Sequence, residues 1–195
     1  MSSRTLGNRA LIRDINRSAV LNLVKTEEAI SRAEIARRSG LSPATVSGIV
    51  SSLIEEGLVY EKEEGHSRGG RKPILLALNE KGGYVVGIKL MSDHAIGALT
   101  DLESTIIAKQ VEDFQGQSQE KVLDTLETLV NKLQQDIDPR KLLGVGIGLP
   151  GLVDAEAGIL KQSPFFHWFD VPLAEKLEER LELPVYVDND VNTLT

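Results

Sequence analysis

Between residues 31 and 53 the chain carries two helix starts and one helix stop at short spacing, a pattern that few folds accept. Ser31-Arg-Ala-Glu34 reads as a capping box, with Ser31 bonding the first turn and Glu34 reaching back to the cap. The helix it opens turns Ile35 and Ala36 inward and stops at Gly40, whose missing Cβ tolerates the left-handed conformation. Leu41 plugs the turn. Ser42 then caps a further helix that begins with Pro43, where an absent N–H loses nothing. Val46, Ile49, Val50, Leu53 and Ile54 recur at steps of three and four and predict its buried stripe. Two helices joined by a glycine-containing turn make a helix-turn-helix, here over about residues 31–50.

Upstream, Leu11, Ile12, Ile15, Ala19, Val20, Leu23 and Val24 trace one face of a preceding helix. The outward face of the third helix is formed by Ala44, Thr45, Ser47, Gly48 and Ser51, small residues with no acid before Glu55. Such a face can enter a major groove about 12 Å wide and bring hydroxyls to phosphates or base edges. A three-helix bundle with short residues in water is the alternative. Ser31, Arg32, Ser42, Pro43, Ala44, Thr45 and Ser47 are the candidate DNA contacts on these helices. A strand over residues 57–61 and another over 74–78 flank a glycine-rich basic loop, which predicts a wing carrying Arg68, Gly70, Arg71 and Lys72 to a phosphate or a minor groove. A solvated hairpin is the competing reading of that loop.

Charge divides the chain in the same place. The net charge of −7 looks wrong for a nucleic-acid partner, yet residues 1–75 hold 12 Lys and Arg against 9 Asp and Glu, and the remainder hold 10 against 20. Two modules with different partners follow, one over 1–80 and one over 84–195, with Lys81-Gly-Gly83 as the linker. The chain has no cysteine, which excludes disulfides and cysteine-based metal or redox sites within it. No apolar run reaches the roughly 18 residues of a membrane span, and the N-terminus lacks the apolar core of a signal peptide, so the expected location is cytoplasmic.

In the second module, three strands (84–90, 95–100 and 105–111) are spaced for an antiparallel meander. A helix over 120–133, a strand over 142–149, a helix over 172–181 opened by Pro172, and a strand over 185–187 complete the order of a ribonuclease-H-like lobe. Two places in it could carry chemistry. Gly144-Val-Gly-Ile-Gly-Leu-Pro-Gly151 alternates glycines along a strand, baring one face either for close packing or for a ligand. It is not a dinucleotide fingerprint, because no helix opens directly after it. Asp188-Asn189-Asp190 ends a buried strand, where ligands of α/β sheets collect, and its oxygens suit a polyhydroxylated ligand. Capping of a following helix is the alternative. His94 and His167 read as structural, and no metal site is expected. Phe165, Phe166, Trp168 and Phe169 fit a pocket wall or a packed lobe edge equally well.

These residues resemble the ROK family of sugar-responsive repressors and sugar kinases, and within it the xylose-repressor-like branch. The resemblance is carried by Ile30-Ser-Arg-Ala-Glu-Ile-Ala36, Leu41-Ser-Pro-Ala-Thr-Val-Ser47, Gly69-Gly-Arg-Lys-Pro73, Gly146-Ile-Gly-Leu-Pro-Gly151 and Asp188-Asn-Asp-Val-Asn192. It implies an α/β fold with an N-terminal winged helix-turn-helix and an incomplete ribonuclease-H-like (actin-like ATPase) lobe, the first lobe of a sugar-binding domain. It also implies a homo-oligomeric repressor of carbohydrate-utilisation genes, with operator DNA and a sugar effector as partners. Gly151, Asn189 and Asp190 become candidate sugar contacts, Asp190 matching the general base of the family's kinases. Three departures stand out. Lys89-Leu-Met-Ser-Asp93 replaces the kinases' Asp-x-Gly-Gly-Thr phosphate loop, so no enzyme activity and no cofactor are expected, a kinase with a DNA-binding head being the alternative. The family's sugar-contacting Asn is missing from Ser163-Pro-Phe-Phe-His-Trp168. The chain stops at Thr195, before the family's Cys/His zinc motif and second lobe, which implies a fragment: zinc belongs to a full-length parent, and a fragment that binds DNA without sensing sugar is a further alternative.

Overall fold

The computed structural model describes residues 3–62, 73–114 and 118–190, which fall in two compact units, Met1–Gly82 and Gly83–Thr195. In the first, α1 (Ser3–Thr26) precedes a two-residue strand β1 (Ile30–Ser31), α2 (Arg32–Ser39) and α3 (Pro43–Glu55), then β2 (Val59–Lys62) and β3 (Leu75–Leu78). Gly40 adopts φ 71° at the end of α2, and Ser31 and Ser42 cap α2 and α3 as their sequences require. The sheet runs β1–β3–β2, antiparallel throughout, with Ile30 opposite Leu76 and Val59 opposite Leu78. Val20, Val24, Ile35, Val46, Val50, Leu53 and Leu76 are fully buried and form the core.

Two local expectations are corrected here. Ile12 and Ile15 lie on the predicted stripe of α1 but are 50% and 57% exposed. A 24-residue helix is about 36 Å long, so the 13-residue α3 and 8-residue α2 cover only part of it, and among the described side chains of its apolar face Val20 and Val24 are the buried ones. Glu34 does not complete the capping box: its carboxylate accepts from Arg37 Nε at 2.9 Å and Nη2 at 2.5 Å. Strand β1 has no sequence signal of its own, because two residues have no periodicity to detect.

The second unit contains β4 (Tyr84–Leu90), β5 (His94–Asp101), β6 (Ile106–Asp113), α4 (Gln119–Leu133), β7 (Leu142–Leu149), β8 (Leu152–Asp154), β9 (Ile159–Gln162), β10 (Phe169–Val171), α5 (Leu173–Leu181) and β11 (Val185–Asn189). The main sheet has the order β11–β7–β4–β5–β6. Its β4–β5–β6 part is an antiparallel meander, whereas β7 pairs parallel to β4 and β11 parallel to β7. This is the ribonuclease-H-like arrangement expected from the element order. Pro172 is the cap residue of α5 and not its first helical residue. The small antiparallel sheet β10–β9–β8 was not foreseen.

One face of the main sheet is buried through Val86, Ile88, Leu99, Val145, Ile147 and Val187, packed in one core with Leu126, Leu129 and Leu133 of α4 and Leu173 and Leu177 of α5. Gly97 lies under α4, where a Cβ would come within 2.8 Å of Leu133. Arg180 of α5 spans to α4, donating at 2.6 Å to both Asp124 and Glu120, and these carboxylates raise its already high pKa. The aromatic segment divides: Phe166 and Trp168 are buried and stacked at 4.5 Å, while Phe165 and Phe169 are 42% and 65% exposed.

Candidate functional site

Helix α3 is held at both ends by side-chain bonds. At its start, Ser42 Oγ accepts from Thr45 N at 3.1 Å and lies 2.8 Å from Thr45 Oγ1, with Pro43 in the first turn. This orients the Thr45 hydroxyl at the positive end of the helix. At the other end, the Arg17 guanidinium of α1 grips both carboxylate oxygens of Glu56, Nη1 donating to Oε1 at 2.7 Å, while Ser52 donates to Oε1 at 2.7 Å. Those bonds hold the Glu56 carboxyl below its usual range. Sequence reasoning missed this clamp, since residues 39 apart carry no local signal of their pairing.

Between these anchors Ala44, Thr45, Ser47, Gly48 and Ser51 are all exposed. On α2, Ser31 Oγ accepts from Glu34 N at 3.2 Å, which spends one of its lone pairs on the cap. Arg32 forms an ion pair with Glu61 of β2 at 2.9 Å, and Arg38 one with Glu27 at 2.6 Å. Several cations of the two leading helices are therefore paired within the unit, and the outward face of α3 is uncharged as far as Ser51. The wing candidates Arg68, Gly70, Arg71 and Lys72 lie outside the described residues.

In the second unit the parallel strands β7 and β11 end side by side, Asn189 opposite Leu149, and Asp190 N donates to Leu149 O at 3.1 Å. That register brings the predicted ligand residues together. Asn189 Nδ2 donates to Gly151 O at 2.6 Å, and Asp190 is the next residue along. Gly151 has φ 152°, and a Cβ there would meet Gln162 O at 2.5 Å, so backbone conformation and packing both require glycine. The helix-capping alternative for this cluster concerns residues after Asp190, outside the described part.

The glycines of β7 serve different ends. At Gly144 a Cβ would lie 2.9 Å from Pro184 O, so that glycine serves packing, whereas Gly146 has open space before it. Gly146 lies in a groove of about 930 Å³ over the second face of the sheet, whose lining includes Gly87, Ala98, Lys89, Lys109 and Asp190 but neither Asn189 nor Gly151. Groove and cluster thus share Asp188 and Asp190. Lys89 sits at the end of β4 opposite Gly148, and Met91 N donates to His94 O at 2.9 Å, closing the link to β5 as a tight turn. His94 is paired with Asp93 through Nδ1 at 2.7 Å. Among the described residues no three His, Cys, Asp or Glu side chains gather as a metal site, and no helix is long and apolar enough to cross a membrane.

A capped helix-turn-helix with wing strands, followed by a ribonuclease-H-like lobe bearing an acid–amide cluster at a strand end, defines a winged helix-turn-helix head on a lobe of actin-like ATPase architecture. The chain belongs to the ROK family, whose profile matches residues 85–195, and a winged helix-turn-helix DNA-binding profile matches residues 13–60. It is 39% identical over 190 residues to a putative xylose repressor of Caldicellulosiruptor sp. (strain Rt8B.4), covering 96% of this chain and 48% of that protein. It is 34% identical over 189 residues to the xylose repressor of Bacillus subtilis (strain 168), covering 96% and 49%. Its structure is similar to that of a ROK family transcriptional regulator homologous to the E. coli MLC protein, with TM-score 0.78, 29% identity, and coverage of 92% of this chain and 46% of the other. A ROK glucokinase from Streptomyces griseus, solved with glucose and AMPPNP, matches with TM-score 0.52 and 27% identity over 56% of this chain and 34% of that one. The chain thus spans about half the length of the relatives it matches.

Proposed function

We propose that this protein is a DNA-binding transcriptional repressor that answers to a sugar and catalyses no reaction. The observation that carries the reading is the outward face of α3: five small, uncharged, exposed residues on a helix capped by Ser42 and clamped by Arg17. A helix so fixed can enter the major groove without repelling phosphates, and its first turns meet base edges. Ser31, Arg32, Ser42, Pro43, Ala44, Thr45 and Ser47 form this interface, with Arg68, Gly70, Arg71 and Lys72 of the wing holding phosphates alongside. Residues 1–80 do the reading and 84–195 form the sugar-facing lobe. The protein works in the cytoplasm as a homo-oligomer.

The bond between Asn189 and Gly151, with Asp190 beside it, supports the sugar half of the reading. The xylose repressors among its relatives favour xylose as the effector. The structural likeness to a glucokinase raises a kinase reading, and the tight turn after Lys89 opposes it: phosphate binding needs a loop of converging backbone N–H groups. Selection of duplexes from a random-sequence library, followed by gel-shift titration of the winners, tests the DNA half. Failure to enrich any sequence would sink the repressor reading.

A further inference from the structure

Gly48 sits in the interior of α3, five residues from its first residue and seven from its last, in helical conformation and exposed. A glycine there lowers helix stability by roughly 0.5–1 kcal/mol relative to alanine. Most other glycines in the described part have an internal reason to be glycine. Gly40, Gly57, Gly151 and Gly158 have positive φ, and Gly82, Gly83, Gly97 and Gly144 meet neighbouring atoms within 3 Å of where a Cβ would stand. At Gly48 a Cβ would meet nothing within 4 Å, and no unusual φ calls for glycine. Short polar side chains alone would mark only a solvated face. Gly48 differs because it costs stability and returns nothing within the molecule, so what uses the missing atom lies outside.

The position also fixes the direction. At 100° per residue, Gly48 shares the centre of the outward face with Ala44 and Ser51 and lies opposite Val46, Val50 and Leu53. It borders a groove of about 500 Å³ between α3 and α1, edged by Arg13 and Ser52. An added side chain would therefore project from the leading surface of the helix. Resting on the reading of α3 as the DNA-reading helix, we propose that Gly48 determines specificity: its bare backbone lets α3 seat against the edge of a base pair in the major groove, at a depth any side chain would prevent.

The test uses the full chain and a duplex selected from random sequence by the wild-type protein. Gly48→Ala should slow amide exchange in α3 by about 2–5-fold, the gain expected of alanine in a helix. It should also weaken binding to the selected duplex about 10-fold, in the range of one lost base contact, and leave binding to random duplex unchanged. Gly48→Leu should weaken the selected complex further. Unchanged affinity for the selected duplex, or equal loss on both DNAs, would overturn the proposal. Should the wild-type chain select no sequence at all, the repressor reading itself falls, and that failure is visible before any variant is made.

Discussion

Thr45 and Ser47 stand in the first turns of α3, where reading helices meet base edges, and the Thr45 hydroxyl is already oriented by its 2.8 Å contact with Ser42. Thr45→Ala or Ser47→Ala should each cost about 1–3 kcal/mol on the selected duplex and little on random DNA. Equal losses in gel shifts on both DNAs would reassign the residue to phosphate contact. Glu56 governs a different observable. Its carboxyl is held low, chiefly by the bond from Arg17, so its stabilisation is present above the ordinary carboxylate range and disappears as pH falls through the lowered value. The two side chains are 29% and 43% exposed, which limits the effect to about 0.5–1 kcal/mol. Urea unfolding of the native chain and Glu56→Gln should differ by that amount at neutral pH and converge in acid. A difference that persists in acid would assign the effect to something other than the ion pair. Arg17 and Ser52 were not legible as partners, because each is an ordinary polar residue until α1 and α3 are packed.

Helices were the most readable elements and short strands the least. The stops and starts of α2 and α3 follow from Gly40, Ser42 and Pro43 because capping is satisfied within a few residues of chain. Strands β1 and β8–β10 number two to four residues each and exist through their pairing, which local composition does not encode. The longer strands β4 and β5 were legible from their extent and spacing, and in β4 Val86, Ile88 and Leu90 share the buried face. The wing is the element whose role is argued from charge alone. Arg71→Ala and Lys72→Ala, made together, should weaken binding to selected and random DNA alike. Each lost phosphate contact should lower the log–log salt slope by about 0.9. Titrations at several salt concentrations read this directly, and an unchanged slope would remove the wing from the phosphate interface.

At the scale of the whole molecule, the issue is whether an actin-like lobe that resembles both repressors and kinases turns over a substrate. Phosphoryl transfer depends on holding ATP phosphates and a metal in place. Here the link after β4 is closed by the bond between Met91 and His94, next to Lys89 near the end of that strand. A coupled assay with pentoses, hexoses and ATP should show no sugar-dependent ADP release from the chain, and Lys89→Asp should not create any. ADP release above background in either protein would overturn the non-enzymatic reading. Asn189 and Asp190 need no nucleotide to accept hydroxyl hydrogen bonds, so Asp190→Ala should abolish whatever sugar binding calorimetry detects, without altering gel shifts made in the absence of sugar. Retained sugar binding in that variant would move the effector site away from this strand end.

Capping, turn chemistry and hydrophobic period act over three to four residues, so the sequence by itself determined the order of helices and main strands, the helix-turn-helix and the division into a basic and an acidic module. Surface and pairing are decided by what arrives from far along the chain. Ile12 and Val20 lie on the same predicted stripe, yet Val20 is fully buried and Ile12 is 50% exposed. Phe165 and Phe166 are neighbours of one chemical type, and packing against Phe114 and Trp168 buries one and leaves the other out. Gly144 and Gly146 belong to one alternating run, and only Pro184, forty residues beyond the first of them, makes the first a packing glycine while the second faces open space. Asn189 reaches Gly151 only because β11 pairs parallel to β7 in the register that ends both strands together. The tertiary structure decided these because burial and hydrogen-bond pairing depend on the element that comes to lie opposite, which no local window of sequence contains.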